Sequence, residues 1–347
     1  MIARDRKRGI WFVMITCLLL LVTACGGQAT GNTTGGTAGT GASQGADAGN
    51  AQTAEPGKEQ TQPLQEATRK ISTVKGEVEI PVHPQRVVAL YYHHQLLALG
   101  LKPVGANLTW WGGSPYLTEQ EQGIVDVGGP PSLEAVSALK PDLIIMNDNN
   151  SEDYEQWSKI APAVLIPYDP QRNVYEDAKL VADIIGKSDI ADTLLATFEE
   201  KSAVARASME GVVKPGAKAA IIRIEGKGGQ FGAFGANYGR GGWPIYEGLK
   251  LQMVPKIKEE MEKQGKGLLQ ELSFELLPEY VGDADYIFVS DEGESLETIK
   301  DNPLWNSLPA VKNGQVIELE KASYFYFDPI SIEGQLDSIA NKLLEVH

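Results

Sequence analysis

Cysteine is nearly absent from this 347-residue chain, and its two copies, Cys17 and Cys25, both lie close to the amino terminus. Everything after Cys25 is therefore without a disulfide or a cysteine-built metal site. Histidine is scarce as well, limited to His83, His93, His94 and His347. Neither an HExxH helix nor a GxSxG in a strand–turn–helix setting supports a hydrolase. The one long apolar run before the folded part, Ile10 to Val22, is too short to favour a spanning helix of about 20 residues. Positive charge is also under-represented, with 31 Lys and Arg against 46 Asp and Glu. Such a body is a poor partner for nucleic acid or an anionic lipid surface.

The amino terminus is informative in what it does contain. Arg4, Arg6, Lys7 and Arg8 precede the apolar run, the order of a secretory leader. The run ends in LVTAC, with small residues before Cys25, and this resembles the lipobox of bacterial lipoproteins, in which the cysteine thiol carries a diacylglycerol. Residues 1–24 are then a signal peptide. Four of the basic residues and one of the acidic ones precede Cys25, so the chain from Cys25 onward carries −18. Residues 25–67 are rich in Gly, Thr, Ala, Ser and Gln, cannot bury enough surface to offset their ordering entropy, and read as a flexible tether.

The folded part repeats one short pattern. SLEAVSALKPDLIIM (132–146) is echoed by SFELLPEYVGDADYIFV (273–289). In each copy a serine suited to capping a helix precedes a first-turn glutamate, and an acidic residue, Asp142 or Asp285, precedes a buried apolar strand. Two copies, each among alternating strands and helices, predict two Rossmann-like α/β lobes, residues 68–187 and 213–347. Between them, residues 188–212 lack proline and have only Gly211, late in the segment; this predicts one long connecting helix of roughly 30 Å.

Chemistry-bearing clusters are few. His93 and His94 are adjacent, about 100° apart on a helix, and so do not form an i, i+4 ligand face; a three-histidine site would need His83 beside them. The glycine-rich EGKGGQFGAFGANYGRGGW (225–243) fits no phosphate-loop register. Its Phe231, Phe234, Tyr238, Arg240 and Trp243 suit either a concave wall for a bulky polar ligand or a hairpin with inward-facing rings. Tyr91 and Tyr92, Trp110 and Trp111, and Tyr324 to Phe327 fall at the ends of expected strands. Open α/β sheets bind ligands there, which places these rings around a cleft between the lobes.

HPQRVVAL, LGLKPVGA, the two echoed segments, NPLWNSLPAVKNGQV and FDPISIEGQLDSIA together resemble the siderophore-binding lipoproteins of bacterial ABC importers. The resemblance implies a class III periplasmic-binding-protein fold, two lobes joined by a single long helix with the ligand cleft between them. It implies a monomer, not an enzyme, anchored outside the cytoplasm to a Gram-positive cell membrane through Cys25. It also implies docking of Glu134 and Glu275 onto an ABC permease dimer with its ATPase. Within that family NYGRGGW looks most like the ferric hydroxamate binders, which points to Tyr238, Arg240 and Tyr326 as ligand contacts, with Phe234, Trp243, Tyr92, Trp110 and Trp111 as further wall residues. The pattern is departed from at Trp243, where an acidic residue is expected, and at YYHHQ. Iron would be held by the siderophore, with no protein metal ligand and no cofactor. An anionic catecholate would call for several converging cations, whereas the pocket segments supply only Arg240 and Arg223. Ferric catecholate, haem and cobalamin remain alternative cargoes on the same scaffold, and a secreted two-lobed α/β enzyme is the alternative of another class.

Overall fold

The computed structural model describes residues 67–292 and 296–346. The expected leader, Cys25 and nearly all of the tether lie outside the described residues.

Among the described residues, thirteen strands form three sheets. β1 (Thr68–Thr73) and β2 (Gly76–Pro81) make an antiparallel hairpin that the sequence reading missed. β3 (Val87–Ala89), β4 (Gly105–Ala106), β5 (Val125–Asp126), β6 (Leu143–Met146) and β7 (Ala163–Leu165) form an all-parallel sheet in the order β5-β4-β3-β6-β7. The second large sheet holds β8 (Lys218–Glu225), β9 (Gln230–Phe234), β10 (Gln252–Met253), β11 (Leu268–Ser273), β12 (Tyr286–Asp291) and β13 (Val316–Glu320). Its path is β11-β9-β8-β12-β13, with β10 on β8, and β9 and β11 run antiparallel to their neighbours.

The apolar strands each serve two cores. Along β3 and β6, Val87, Ala89, Leu143 and Ile145 enter one buried cluster while Val88, Ile144 and Met146 enter another. The second sheet repeats this, with Ile221 and Phe288 on one face and Ala220, Ile222, Ile287 and Val289 on the other. Successive side chains alternate across a sheet, so an unbroken apolar run requires cover on both faces.

The echoed segments occupy matching places. The Asp142 carboxylate accepts from the backbone N–H groups of Gln85 (2.6 Å) and Arg86 (3.0 Å), fixing the chain as it enters β3. Asp285 does the same for β8, accepting from Lys218 N–H at 2.8 Å. These acidic residues thus pin the first strand of each sheet to the neighbouring β6 or β12. The capping half of the echo is less exact. Ser132 Oγ accepts from Ala135 N–H at 3.3 Å, but Ser273 makes no side-chain cap, and its segment starts as a 3-10 turn, Phe274–Leu276, before the helix Leu277–Val281. Pro278 in that first turn supplies no N–H.

The helix Ser188–Ser208 connects the two large sheets over 21 residues, about 31 Å at 1.5 Å per residue. It packs on the helix Val174–Ile185 and on the closing helix Pro329–Glu345, with Phe198 fully buried. Trp243–Gly248 forms a single π-helical stretch packed against Phe198.

Candidate functional site

A cavity of about 560 Å³ opens where segments following β3, β4, β6, β7, β9 and β13 converge. This is the carboxyl-end location that open α/β sheets use for ligands. Its walls carry Tyr91, Trp111 and Tyr168 from the first sheet's loops, and Tyr238, Phe325 and Tyr326 from the second's. Tyr91 meets Trp111 edge-on with ring centres 5.0 Å apart, and Phe325 meets Tyr326 likewise at 5.7 Å. Burial pushes the phenols of Tyr91 and Tyr168 up to about 12, so both stay protonated and can donate hydrogen bonds.

The NYGRGG loop is shaped by three successive left-handed residues, Gly239 (φ 69°), Arg240 (φ 57°) and Gly241 (φ 73°). Glycine is required beside the arginine, because a Cβ on Gly239 would stand 2.5 Å from the Phe325 carbonyl oxygen and one on Gly241 would stand 2.9 Å from Ile339 Cδ1. The backbone N–H of Arg240 donates to Tyr324 O at 2.6 Å. The loop sets the guanidinium 4.5 Å from the Phe325 ring centre and 5.1 Å from that of Phe234, a cation held among aromatic faces.

Arg240 is not an unpaired cation. Its Nε and Nη2 donate to the two oxygens of Glu292, and Nη1 donates to Tyr238 O at 3.0 Å. Burial alone would raise the Glu292 carboxyl, but the hydrogen bonds and charge of Arg240, with help from Ser290 and Arg223, hold it below the usual carboxylate range. A second guanidinium on the wall, Arg172, donates to Asp177 and, at 2.7 Å, to Pro167 O. Burial pushes the Asp177 carboxyl up against the opposing pull of Arg172. With Asp148 also on the wall, two cations face two carboxylates, and Glu292 stands behind.

The floor of the cavity joins the two halves of the chain. Tyr326 Oη donates to Gly112 O at 3.0 Å, and Ser114 Oγ lies 2.8 Å from Ser331 Oγ. His93 and His94 begin the helix His93–Ala98 with ring centres 3.8 Å apart. Both Nε2 atoms face Glu121 Oε1, at 3.1 and 3.6 Å. Burial lowers His93 to about 4, which keeps it neutral near pH 7. Burial would raise Glu121, but hydrogen bonds from His93 and the Gly113 N–H, with the His94 ring close by, prevail and hold it far below its ordinary value.

Of the residues expected to face a ligand, Tyr92, Trp111, Tyr238, Arg240 and Tyr326 line the cavity. Three do not. Phe234 is wholly buried beneath Arg240, because β9 turns its side chain into the core. Trp243 packs beside Tyr175 in the same core, and Trp110 is 45% exposed against Gly129, outside the cavity. Arg223 likewise backs the wall, paired with Glu225 and Glu292. The glycine-rich segment thus satisfies both of its readings in turn: Gln230–Phe234 is a hairpin strand with inward rings, and Asn237, Tyr238 and Arg240 are cavity wall. Arg172 and Asp177 were missed, although DPQRNVYED follows β7 at a strand's carboxyl end and could have been found by that position. Glu121, which no sequence motif links to the adjacent histidines, joins them in the fold. His83 lies instead beside Gly186. Glu134 and Glu275 are exposed, next to the partly exposed Leu133 and Leu276.

Comparison with known proteins adds three findings. Residues 89–322 match the model of the family described as periplasmic binding protein. The Bacillus subtilis iron(3+)-hydroxamate-binding proteins YxeB and FhuD are 34% and 36% identical to the chain, over 98% of both chains for YxeB and over 77% of this chain and 84% of the relative for FhuD. Among solved structures, a FhuD-fold protein from Bacillus subtilis superposes with a TM-score of 0.67 at 34% identity, covering 79% of this chain and 99% of that one. FhuD2 of Staphylococcus aureus with bound ferrioxamine B gives 0.65 at 25% identity, covering 76% of this chain and 99% of that one.

Proposed function

The chain belongs to the periplasmic binding protein family, and from that premise we propose that it captures a ferric siderophore of the hydroxamate class and delivers it to an ABC importer. The observation that carries the cargo class is the charge-balanced aromatic cavity, where Arg172 and Arg240 each already hold a carboxylate. A ferric trihydroxamate core is neutral, so it gains little from free cations but gains from packing on rings and from directed N–H donors. Three of the five Arg240 N–H groups are engaged by Glu292 and Tyr238, which leaves two for ligand oxygens. A tricatecholate, strongly anionic, would leave its charge uncompensated among paired guanidiniums. The hydroxamate-binding relatives agree with this choice.

The iron is cargo, enclosed by the siderophore, and calls for no resident cofactor or catalytic group. Glu134 and Glu275 are the docking contacts for positively charged pockets of a permease dimer coupled to its ATPase. Their exposure and first-turn positions support this. Attachment through a lipid on Cys25, placing the protein on the outer face of the cell membrane, is supported by the LVTAC motif and by relatives named as lipoproteins. The test is uptake of radioactive iron as ferrioxamine B by cells deleted for their own hydroxamate binders and supplied with this chain. Restored uptake is expected; failure with ferrioxamine B and other trihydroxamates, alongside uptake of a ferric tricatecholate, would overturn the cargo class.

A further inference from the structure

The cavity floor holds a cluster that capture of a siderophore does not use. One ring nitrogen each of His93 and His94 and a Glu121 oxygen all lie within 4.8 Å of one another, with His93 buried and the other two largely so. The His94 and His93 contacts to Glu121 Oε1, 3.6 and 3.1 Å, bracket the spacing of about 3.3 Å that a tetrahedral zinc ion with bonds near 2.0–2.1 Å imposes on its ligands.

Two buried polar atoms there have no hydrogen-bond partner, His94 Nε2 and Asp328 Oδ2. Asp328 is fully buried and spends Oδ1 on capping the closing helix, accepting from Ile330 and Ser331 N–H groups. Its idle Oδ2 faces His94 Nδ1 at 3.9 Å. A carboxylate behind one imidazole nitrogen, with the other nitrogen free, is the outer-shell arrangement that orients metal-ligating histidines. Among the described residues, no lysine or arginine pairs with either Glu121 or Asp328. Two carboxylates beside two imidazoles thus form a site whose charge one divalent cation would cancel.

We propose that His93, His94 and Glu121 form a binding site for a divalent first-row metal ion of the zinc type, with Asp328 orienting His94 from behind. Imidazole and carboxylate donors suit that class of ion. His93 and His94 both line the cavity, so a fourth coordination position is open to water or to a cargo atom. The site does not depend on which siderophore, if any, the cavity takes.

The experiment is equilibrium competition for Zn²⁺ between a chromophoric chelator and the full chain, previously stripped of metal, together with Co²⁺ absorption. One ion per chain and a visible Co²⁺ spectrum of four-coordinate nitrogen and oxygen type, without thiolate charge transfer, are expected. Glu121→Gln and His94→Gln should each weaken binding at least about 100-fold, and His83→Ala should not change it. Asp328→Asn keeps the helix-capping oxygen while removing the charge behind His94, and should cost about 10–100-fold. Thermal melts identify variants that fail to fold; if Glu121→Gln or His94→Gln does so, Asp328→Asn carries the decision. Absence of saturable binding, a thiolate spectrum, or affinity that is indifferent to all three floor variants would overturn the proposal.

Discussion

Glu292→Gln separates the structural from the electrostatic role of the Arg240 pair. The Glu292 side chain is 5% exposed and is bonded to Arg240 through both oxygens, with Arg223 3.5 Å away. Glutamine keeps the size and one acceptor but removes the charge. Breaking a buried pair by deleting one partner costs about 3–5 kcal/mol, and the surviving amide acceptor together with partial solvent access to Arg240 brings this to about 2 kcal/mol. At about 2.1 cal/mol/K per residue, a folded body of this size shifts by about 1.7 °C per kcal/mol, and the melting temperature should fall by about 3–4 °C. The freed guanidinium also acts on the ligand. At an effective dielectric of about 20, a unit charge about 7 Å from a ligand anion contributes about 2 kcal/mol, more than tenfold in affinity. Binding of a ferric tricatecholate should therefore tighten at least about tenfold, while a neutral ferric trihydroxamate changes by less than about threefold. The pH dependence has a definite sign. The folded-state pKa of Glu292 is depressed, so its stabilising contribution is present at neutral pH and is lost as pH falls through the folded value. Melting temperatures of the two proteins should begin to converge below about pH 4 and meet once pH has fallen through the depressed folded value. Calorimetric melts and fluorescence titrations measure both effects; equal melting temperatures at pH 7, or an unchanged preference between the two ligands, would refute the reasoning.

Three other perturbations follow from the same geometry. Gly239→Ala combines a φ of +69° with a Cβ 2.5 Å from a carbonyl oxygen, so it should cost about 1–3 kcal/mol in thermal melts and displace Arg240 enough to weaken ligand binding. Trp111→Phe should remove most ligand-induced quenching of tryptophan emission, whereas Trp110→Phe should leave it, because only Trp111 lies on the cavity wall. Reversing both charges in a Glu134→Lys/Glu275→Lys variant should abolish cellular iron uptake and leave the ligand Kd unchanged; retained uptake would remove both residues from docking.

How much was legible depended on whether a signal was local. The buried strands were readable because LIIM and YIFV are unbroken apolar runs, and the connecting helix because 188–208 contains neither proline nor glycine. The hairpin Thr68–Pro81 was not, since TRKIST and GEVEIP are mostly polar and their pairing depends on a turn at 74–75. Aromatic clustering found Tyr238 and Tyr326 but could not tell a ring on the wall from one beneath it. Phe234 and Arg240 are neighbours in space, yet the strand's alternation buries one and the left-handed loop presents the other. Pairing was the least visible feature. Nothing near NYGRGG in sequence announces that Glu292, 52 residues later, neutralises its arginine. The same holds for Glu121, 28 residues from His93 and brought to it only by the tertiary fold.

The most direct measurement is a titration of intrinsic tryptophan fluorescence of the full chain, in parallel, with ferrioxamine B and with a ferric tricatecholate. Saturable one-to-one quenching by ferrioxamine B, with binding at least about tenfold tighter than for the catecholate, is the result that a charge-balanced cavity predicts. Tighter binding of the catecholate would contradict it and would mean that Arg172 and Arg240 exchange their carboxylates for ligand charge.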